Sequence, residues 1–258
     1  MGKNSATARE KRHQALVDYI SENGNSSAEL LADELGVSVM TIYRDITFLE
    51  STGLVRREHG SVQVTAYTLA ESSALMRSGR HNSAKSRLAA AALDYVHSGM
   101  SIALDDSTTL MHLFPEINNL APLTVVTNSR LLADEVIRYS KLELIALGGN
   151  YVRWADAFSG PGTVTAMAEL HPDLCIMSST AVMDGQLAHP DPMMAAIKRQ
   201  MLMSSRQRIV LVDRSKFTKS ALHHFHSLKN IDVVITETSL PGAQIEALRA
   251  VVPEVVLV

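Results

Sequence analysis

The sequence predicts an α/β fold in two parts, a small helical head ending in a β-hairpin and a larger domain with a mostly parallel sheet. Three observations predict it. The first 60 or so residues place apolar side chains at helical spacing in short segments, and from residue 83 onward short apolar runs alternate with helical patterns. Between them lies a polar stretch, VTAYTLAESSALMRSGRHN, carrying Ser72, Ser73, Ser78 and Gly79. The expected boundaries are therefore a head over 1–63, a linker over 64–82 and an α/β domain over 83–258.

Composition narrows the function classes. Of 258 residues, 46% are hydrophobic, enough for a real core, and the net charge of −3 produces no global basic field. The single cysteine, Cys175, excludes an internal disulfide and any CxxC metal or redox site. No apolar run reaches the 18 residues of a membrane span, and the first 20 residues lack the apolar core and cleavage site of a secretory signal. A cytoplasmic protein is expected.

In the head, a first helix over about Arg9–Asn23 carries Leu16, Tyr19 and Ile20 on one face and stops at Gly24. Ser26 and Glu29 have the spacing of a capping box and open a second helix, with Leu30, Leu31 and Leu35, that closes at Gly36. Ser38 is the expected N-cap of a third helix. Helix, Gly-containing turn and helix make a helix-turn-helix unit. On the third helix, Ile42, Ile46 and Leu49 share a buried face. Met40, Tyr43, Arg44 and Thr47 then point outward, with Thr41 at the margin. Arginine beside hydroxyls suits a nucleic-acid groove: the guanidinium for guanine or phosphate, the hydroxyls for backbone oxygens. Leu54–Arg57, a turn at His59-Gly60 and a return through Val62 and Val64 read as a wing, with Arg56, Arg57 and His59 near its tip. Residues 1–60 hold seven Lys/Arg against nine Asp/Glu, so the head is net −2. Binding to double-stranded DNA would then rely on local clustering of cations and on dimer avidity, and would be salt-sensitive.

The run LLADELGVSVMTIYRDITFLESTGLVRREHG resembles the DNA-binding module of the DeoR family of bacterial regulators. Val37-Ser38, Thr41-Ile42, Arg44-Asp45, Leu49-Glu50, Gly53, Arg57 and His59-Gly60 match its pattern. Tyr43 departs from the first arginine of the family's TIRRD, and Ser61 from its second wing glycine. The resemblance implies a winged helix-turn-helix, with Ser38, Met40, Thr41, Tyr43, Arg44, Thr47, Arg56, Arg57 and His59 as the DNA-facing residues.

The α/β domain is predicted from buried apolar runs at Ser101–Leu104, Leu123–Val126, Leu142–Leu147, Leu174–Met177, Ile209–Val212 and Val233–Ile235. Helical patterns fall at about 83–97, 109–119, 129–139, 162–170, 192–205 and 241–251. Such a βαβ series forms a Rossmann-like parallel sheet and binds ligands beyond the carboxyl ends of its strands. There the chain carries Asp105-Asp106-Ser107-Thr108-Thr109, Thr127-Asn128-Ser129, Gly148-Gly149, Ser178-Ser179-Thr180 and Asp213-Arg214-Ser215-Lys216. Each loop alone is ordinary turn chemistry, but five at one edge suit a phosphate or polyhydroxy ligand.

IALDDSTT, LTVVTNS, LIALGGNYV, IKRQM and VLVDRSKF resemble the DeoR sensor domain, which is similar in fold to sugar-phosphate isomerases. Carried over residue by residue, the resemblance implies a phosphosugar effector held by Lys85, Asp105, Thr108, Thr109, Asn128, Gly148, Gly149, Lys198 and Lys216. It further implies a repressor of a sugar, polyol or nucleoside catabolic operon, acting as a homodimer or higher homo-oligomer through its C-terminal domains. Asp106-Ser107 departs from the Ser-Gly of the family's DSGTT, adding a carboxylate and a β-carbon. Ser178, Met194 and Ala84 also depart from the usual glycine, glutamate and glutamate.

The alternative is a sugar-phosphate isomerase-like enzyme with an appended helical domain, using Asp105, Asp106, Asp184 or Asp213 as general base. Fold alone does not carry chemistry, and no P-loop or GxGxxG motif is present, so neither catalysis nor a cofactor is expected. His223, His224 and His226 read as a solvated loop rather than a metal site. Met193, Met194, Met201 and Met203 read as core or subunit interface, and Tyr151, Trp154 and Phe158 as an effector lid or an apolar loop packed on the sheet.

Overall fold

The computed structural model describes residues 9, 12–13, 15–17, 19–20, 23–51, 54–58, 60–64, 77, 81–139 and 141–258. The chain divides into two compact units, residues 1–80 and 81–258. His59 and most of the expected linker lie outside the described residues. Asn82, the last residue of that linker, already begins a helix.

In the first unit, the described positions from 9 to 23 are helical and stop at Gly24, whose left-handed backbone (φ 79°) aims its N–H at the Ile20 carbonyl, 2.9 Å away. Helix α1 (Ala28–Leu35) is capped by Ser27, not by Ser26 as the capping-box spacing predicts: the Ser27 hydroxyl accepts from Leu30 N. Ser26 is instead drawn into the wing, exchanging backbone hydrogen bonds with Val62 at 2.8 and 3.1 Å. Gly36 ends α1 in the left-handed region, a conformation a β-carbon would strain, and so turns the chain into α2 (Val39–Ser51). Strands β1 (Val55–Glu58) and β2 (Ser61–Val64) form the wing. Leu16, Ile20, Leu31, Ile42, Ile46, Leu49 and Val62 make its core.

The second unit is a parallel sheet covered on both faces. Its elements are α3 (Asn82–Ala92), β3 (Ser101–Leu104), α4 (Phe114–Ile117), β4 (Leu123–Thr127), α5 (Arg130–Ile137), β5 (Leu142–Ala146), β6 (Asn150–Val152), β7 (Ala157–Ser159), α6 (Pro161–Ala168), β8 (Leu174–Met177), β9 (Ala181–Met183), β10 (Gln186–His189), α7 (Pro192–Ser204), β11 (Gln207–Val212), β12 (His223–Ser227), β13 (Val233–Thr236), α8 (Gly242–Arg249) and β14 (Glu254–Leu257). Seven strands run in the order β14-β13-β11-β8-β3-β4-β5, every neighbouring pair parallel. Alternate residues serve opposite faces. Ile102, Leu104, Leu174, Ile176, Ile209 and Leu211 pack with α3, α4 and α5, while Ala103, Cys175, Met177, Val210 and Val212 pack with α6, α7 and α8. Burial on both sides is why these strands are continuously apolar. Strand order reverses between β3 and β8, which places a topological switch point beside the loop after β3.

One sequence expectation changes here. His223, His224 and His226 are not in a loop: they lie on β12, which pairs antiparallel with β10 through backbone groups indifferent to side-chain polarity. Among the described residues, no group of three His, Cys, Asp or Glu is placed to hold a metal ion. Tyr151 and Phe158 face each other across the β6–β7 hairpin, whereas Trp154 is buried and stacks on His189 with ring centres 6.1 Å apart. Met194 and Met201 are core residues, but Met203 is 62% exposed.

Candidate nucleic-acid interface and effector site

Helix α2 presents the expected face. Ile42, Ile46 and Leu49 are buried, while Ser38, Met40, Tyr43, Arg44 and Thr47 are exposed and Thr41 is intermediate. Ser38 caps the helix by accepting from Thr41 N at 3.2 Å, and the Ser38 and Thr41 hydroxyls lie 2.9 Å apart. Thr47 returns its hydroxyl to the Tyr43 carbonyl (2.8 Å). The wing is tied to this helix: Arg57 donates to the Thr47 hydroxyl, its backbone N–H donates to Glu50 (3.0 Å), and its guanidinium lies 3.4 Å from the same carboxylate. Arg56 is the freer of the two, 63% exposed and paired, among the described residues, with Glu58 and Gln63 on the wing.

Asp45 faces inward and is one of the groups the sequence reading left without a role. It accepts from Arg12 Nε (2.5 Å), Arg12 Nη2 (3.1 Å) and His13 Nε2 (2.8 Å), and so fastens the first helix to α2. Burial alone would raise its pKa, but hydrogen bonds from Arg12 and His13 hold the carboxyl below its usual value. His13, buried and stacked on Phe48 at 4.9 Å, is pushed below the ordinary histidine value by that burial in spite of Asp45.

In the second unit, the loop after β3 is the centre of a buried polar cluster. Asp105 accepts from Ser107 N (3.0 Å), the Ser107 hydroxyl (2.8 Å), Ser178 N (3.4 Å) and the Lys198 ammonium delivered by α7. Lys198 also pairs with Asp106 at 2.9 Å. Burial favours its neutral amine, yet the two carboxylates hold its pKa above the ordinary lysine value. Complete burial raises Asp105, with Lys198 opposing. Lys85, from α3, donates to the Thr108 hydroxyl at 3.0 Å. The extra carboxylate at position 106 thus faces inward and shares the lysine. Ser107 and Ser178, absent from the expected site, hold Asp105 in place.

Other expected residues gather elsewhere on the same edge. Asn128 donates to the Phe158 carbonyl (2.9 Å), which fixes its amide so that Oδ1 is buried without a hydrogen-bond partner among the described residues. Gly148 accepts from the Thr163 hydroxyl (2.7 Å). At Gly149 (φ 149°) a β-carbon would lie 2.2 Å from that hydroxyl oxygen and 2.7 Å from the Ser159 carbonyl oxygen, so only glycine fits. Lys216 stands 3.9 Å from Asp213, which it and Ser215 hold below the usual carboxylate range against the effect of burial. Thr109 is buried at the start of a short 3-10 turn. Lys85 with Thr108 and Lys198 with Asp105 thus form two neighbouring pairs at the loop after β3.

Comparison with known proteins follows this two-part layout. Residues 12–68 match the DeoR-like helix-turn-helix domain and residues 80–238 the DeoR C terminal sensor domain. The chain is 30% identical to the L-fucose operon activator of Haemophilus influenzae, over 89% of this chain and 92% of that one. It is 25% identical to a putative aga operon transcriptional repressor of Escherichia coli O157:H7, over 100% of this chain and 97% of the relative. A glycerol-3-phosphate regulon repressor of H. influenzae is 28% identical, over 87% and 88% of the two chains. Ribose 5-phosphate isomerase A of Methanocaldococcus jannaschii superposes over 53% of this chain and 54% of its own with a TM-score of 0.38 and 18% identity, too weakly to bear on function. The family consists of regulators, so the isomerase alternative is set aside. The chain belongs to the DeoR family of DNA-binding transcriptional regulators, with an N-terminal winged helix-turn-helix and a C-terminal parallel α/β sensor domain.

Proposed function

We propose that this regulator is a cytoplasmic repressor of a sugar, polyol or nucleoside catabolic operon, released from its operator by a small phosphorylated metabolite. The observation that carries the DNA-binding part is the exposed face of α2, where Met40, Tyr43, Arg44 and Thr47 stand clear of the core and Arg57 of the wing reaches Thr47. In this reading α2 lies in the major groove, with Arg44 directed at a base edge or phosphate and the wing at the adjacent backbone. Two heads of a homodimer engage a repeated site. The relatives' names, a fucose operon activator and a glycerol-3-phosphate regulon repressor, favour carbohydrate metabolism as the regulated process.

The effector part rests on the strand-end cluster. The Asn128 oxygen is a buried acceptor awaiting a donor, a deficit of about 1–3 kcal/mol that a ligand hydroxyl would relieve. Lys85, Lys198 and Lys216 are cations of the kind that hold phosphate as point charges. Lys198 already serves Asp105 and Asp106, so in this reading an incoming phosphate competes with the Asp106 carboxylate for it. Effector and operator then oppose each other through one coupling free energy. Titrating sugar phosphates into a preformed protein–operator complex tests this: a phosphorylated sugar that releases DNA supports it, and DNA affinity unchanged across the panel at fixed salt contradicts it.

A further inference from the structure

The head carries more acids than bases in total, yet its cations are not evenly spread. A cleft of 280 Å³ opens between the first helix and α2, lined by Arg9, Arg12, His13, Thr41, Arg44, Asp45 and Phe48. Three guanidiniums meet there with one carboxylate. That carboxylate is consumed: Asp45 is buried and accepts from Arg12 and His13. The imidazole of His13, its pKa lowered by burial, adds no charge to this count. Among the described residues no carboxylate pairs with Arg9 or Arg44. Arg9 rests over the Phe48 ring, 5.9 Å from its centre, which steers an otherwise exposed arginine toward the cleft. The cleft is therefore net +2 within a unit that is net −2 over residues 1–60. Thr41 on its wall adds a hydroxyl, and Thr41 and Arg44 belong to the same face of α2 as the residues expected to meet DNA.

We propose that this cleft seats one phosphodiester of the DNA backbone, gripped by Arg9 and Arg44, with Arg12 held against Asp45 as the fixed wall. The inference rests on the DNA-binding reading above and adds a residue, Arg9, that no part of that reading assigns. A monoanionic phosphate with non-bridging oxygens matches guanidinium forks in charge and geometry. Such a contact fixes the register of α2 along the groove and carries no sequence information. It also explains how a head of net negative charge approaches a polyanion: attraction is delivered at one cleft rather than by an overall field.

The test uses the full-length chain and fluorescence anisotropy over a series of salt concentrations. Two duplexes of equal length are compared, one from the promoter region of the chain's own operon and one with the same bases shuffled. Arg9→Ala is expected to weaken both duplexes by the same factor and to lower the slope of log affinity against log salt by about one per bound head. Arg9→Lys, which keeps the charge, is expected to restore most of that slope. Thermal melting of Arg9→Ala should match wild type, because the side chain is exposed. An unchanged salt slope in Arg9→Ala, or a loss confined to the promoter duplex, overturns the phosphate seat while wild-type selectivity leaves the DNA-binding reading standing. Failure of the wild-type chain to prefer the promoter duplex overturns the broader reading instead, and the seat with it.

Discussion

Replacing Asp106 by Ser is expected to tighten the binding of phosphorylated ligands. In the structure the Lys198 ammonium is shared between Asp105 and Asp106, the latter at 2.9 Å, and all three side chains are almost fully buried. A unit-charge pair at that separation interacts with about 6 kcal/mol at an effective dielectric of 20, which is a ceiling because desolvation offsets much of it. A single charge-assisted hydrogen bond contributes about 1.5–3 kcal/mol net, the range over which a competing phosphate oxygen gains when the carboxylate is removed. At about 1.4 kcal/mol per factor of ten, the expected gain is roughly 10- to 100-fold in affinity. Asp105 remains to hold Lys198 in place, so the variant should fold. Isothermal titration with inorganic phosphate, glycerol 3-phosphate and other sugar phosphates, beside the matching free sugars, measures the effect. A gain restricted to phosphorylated ligands supports the competition. No gain, or an equal gain for free sugars, refutes the reasoning.

Other outcomes follow from the same geometry. Asp45→Asn removes the acceptor shared by Arg12 and His13; with Arg12 a quarter exposed, the loss is about 2–4 kcal/mol, a large share of the roughly 4–12 kcal/mol expected for an 80-residue unit. Circular dichroism melts should show it as early unfolding, with DNA affinity lost on any sequence. The same cluster sets the acid response. His13 and Asp45 both titrate lower in the folded chain, so their stabilisation is complete above their unfolded values and is lost as pH falls. Melts of the DNA-binding unit should therefore decline below about pH 6.5 and again below about 4; a head equally stable at pH 5 and pH 8 would contradict this. Gly149→Ala should cost about 1–3 kcal/mol by pushing the β6–β7 hairpin away from Thr163, read as a lower midpoint in urea. An unchanged midpoint would mean that the hairpin is free to shift.

How much of this was legible in the sequence depended on whether the cause lay nearby along the chain. Strands such as Leu174–Met177 stood out because both their faces are buried, and α2 because its apolar residues recur every three to four positions. The hairpins did not: Asn150–Val152, Ala157–Ser159 and Ala181–Met183 have only three residues each, too few to establish a period. His223–Ser227 resembled a loop because it is polar, yet its pairing with β10 uses backbone groups. The capping-box spacing points to Ser26, one residue too early, because the wing takes Ser26 and leaves Ser27 to cap the helix. At the candidate sites, residue types and strand ends were readable, but partnerships were not. Lys198 lies 93 positions from Asp105, and Asp45 lies 33 from Arg12. Sequence spacing on α2 shows that Asp45 faces the core; only the packing of the first helix shows what neutralises it.

The most direct test of the account is binding of the full-length chain to duplex DNA from its own promoter region, by anisotropy at two salt concentrations, beside Arg44→Ala. The account predicts selective binding that weakens steeply as salt rises and that collapses when Arg44 is removed. Equal affinity for promoter and shuffled DNA, or unchanged affinity in Arg44→Ala, would contradict the assignment of the exposed face of α2 as the surface that meets the operator.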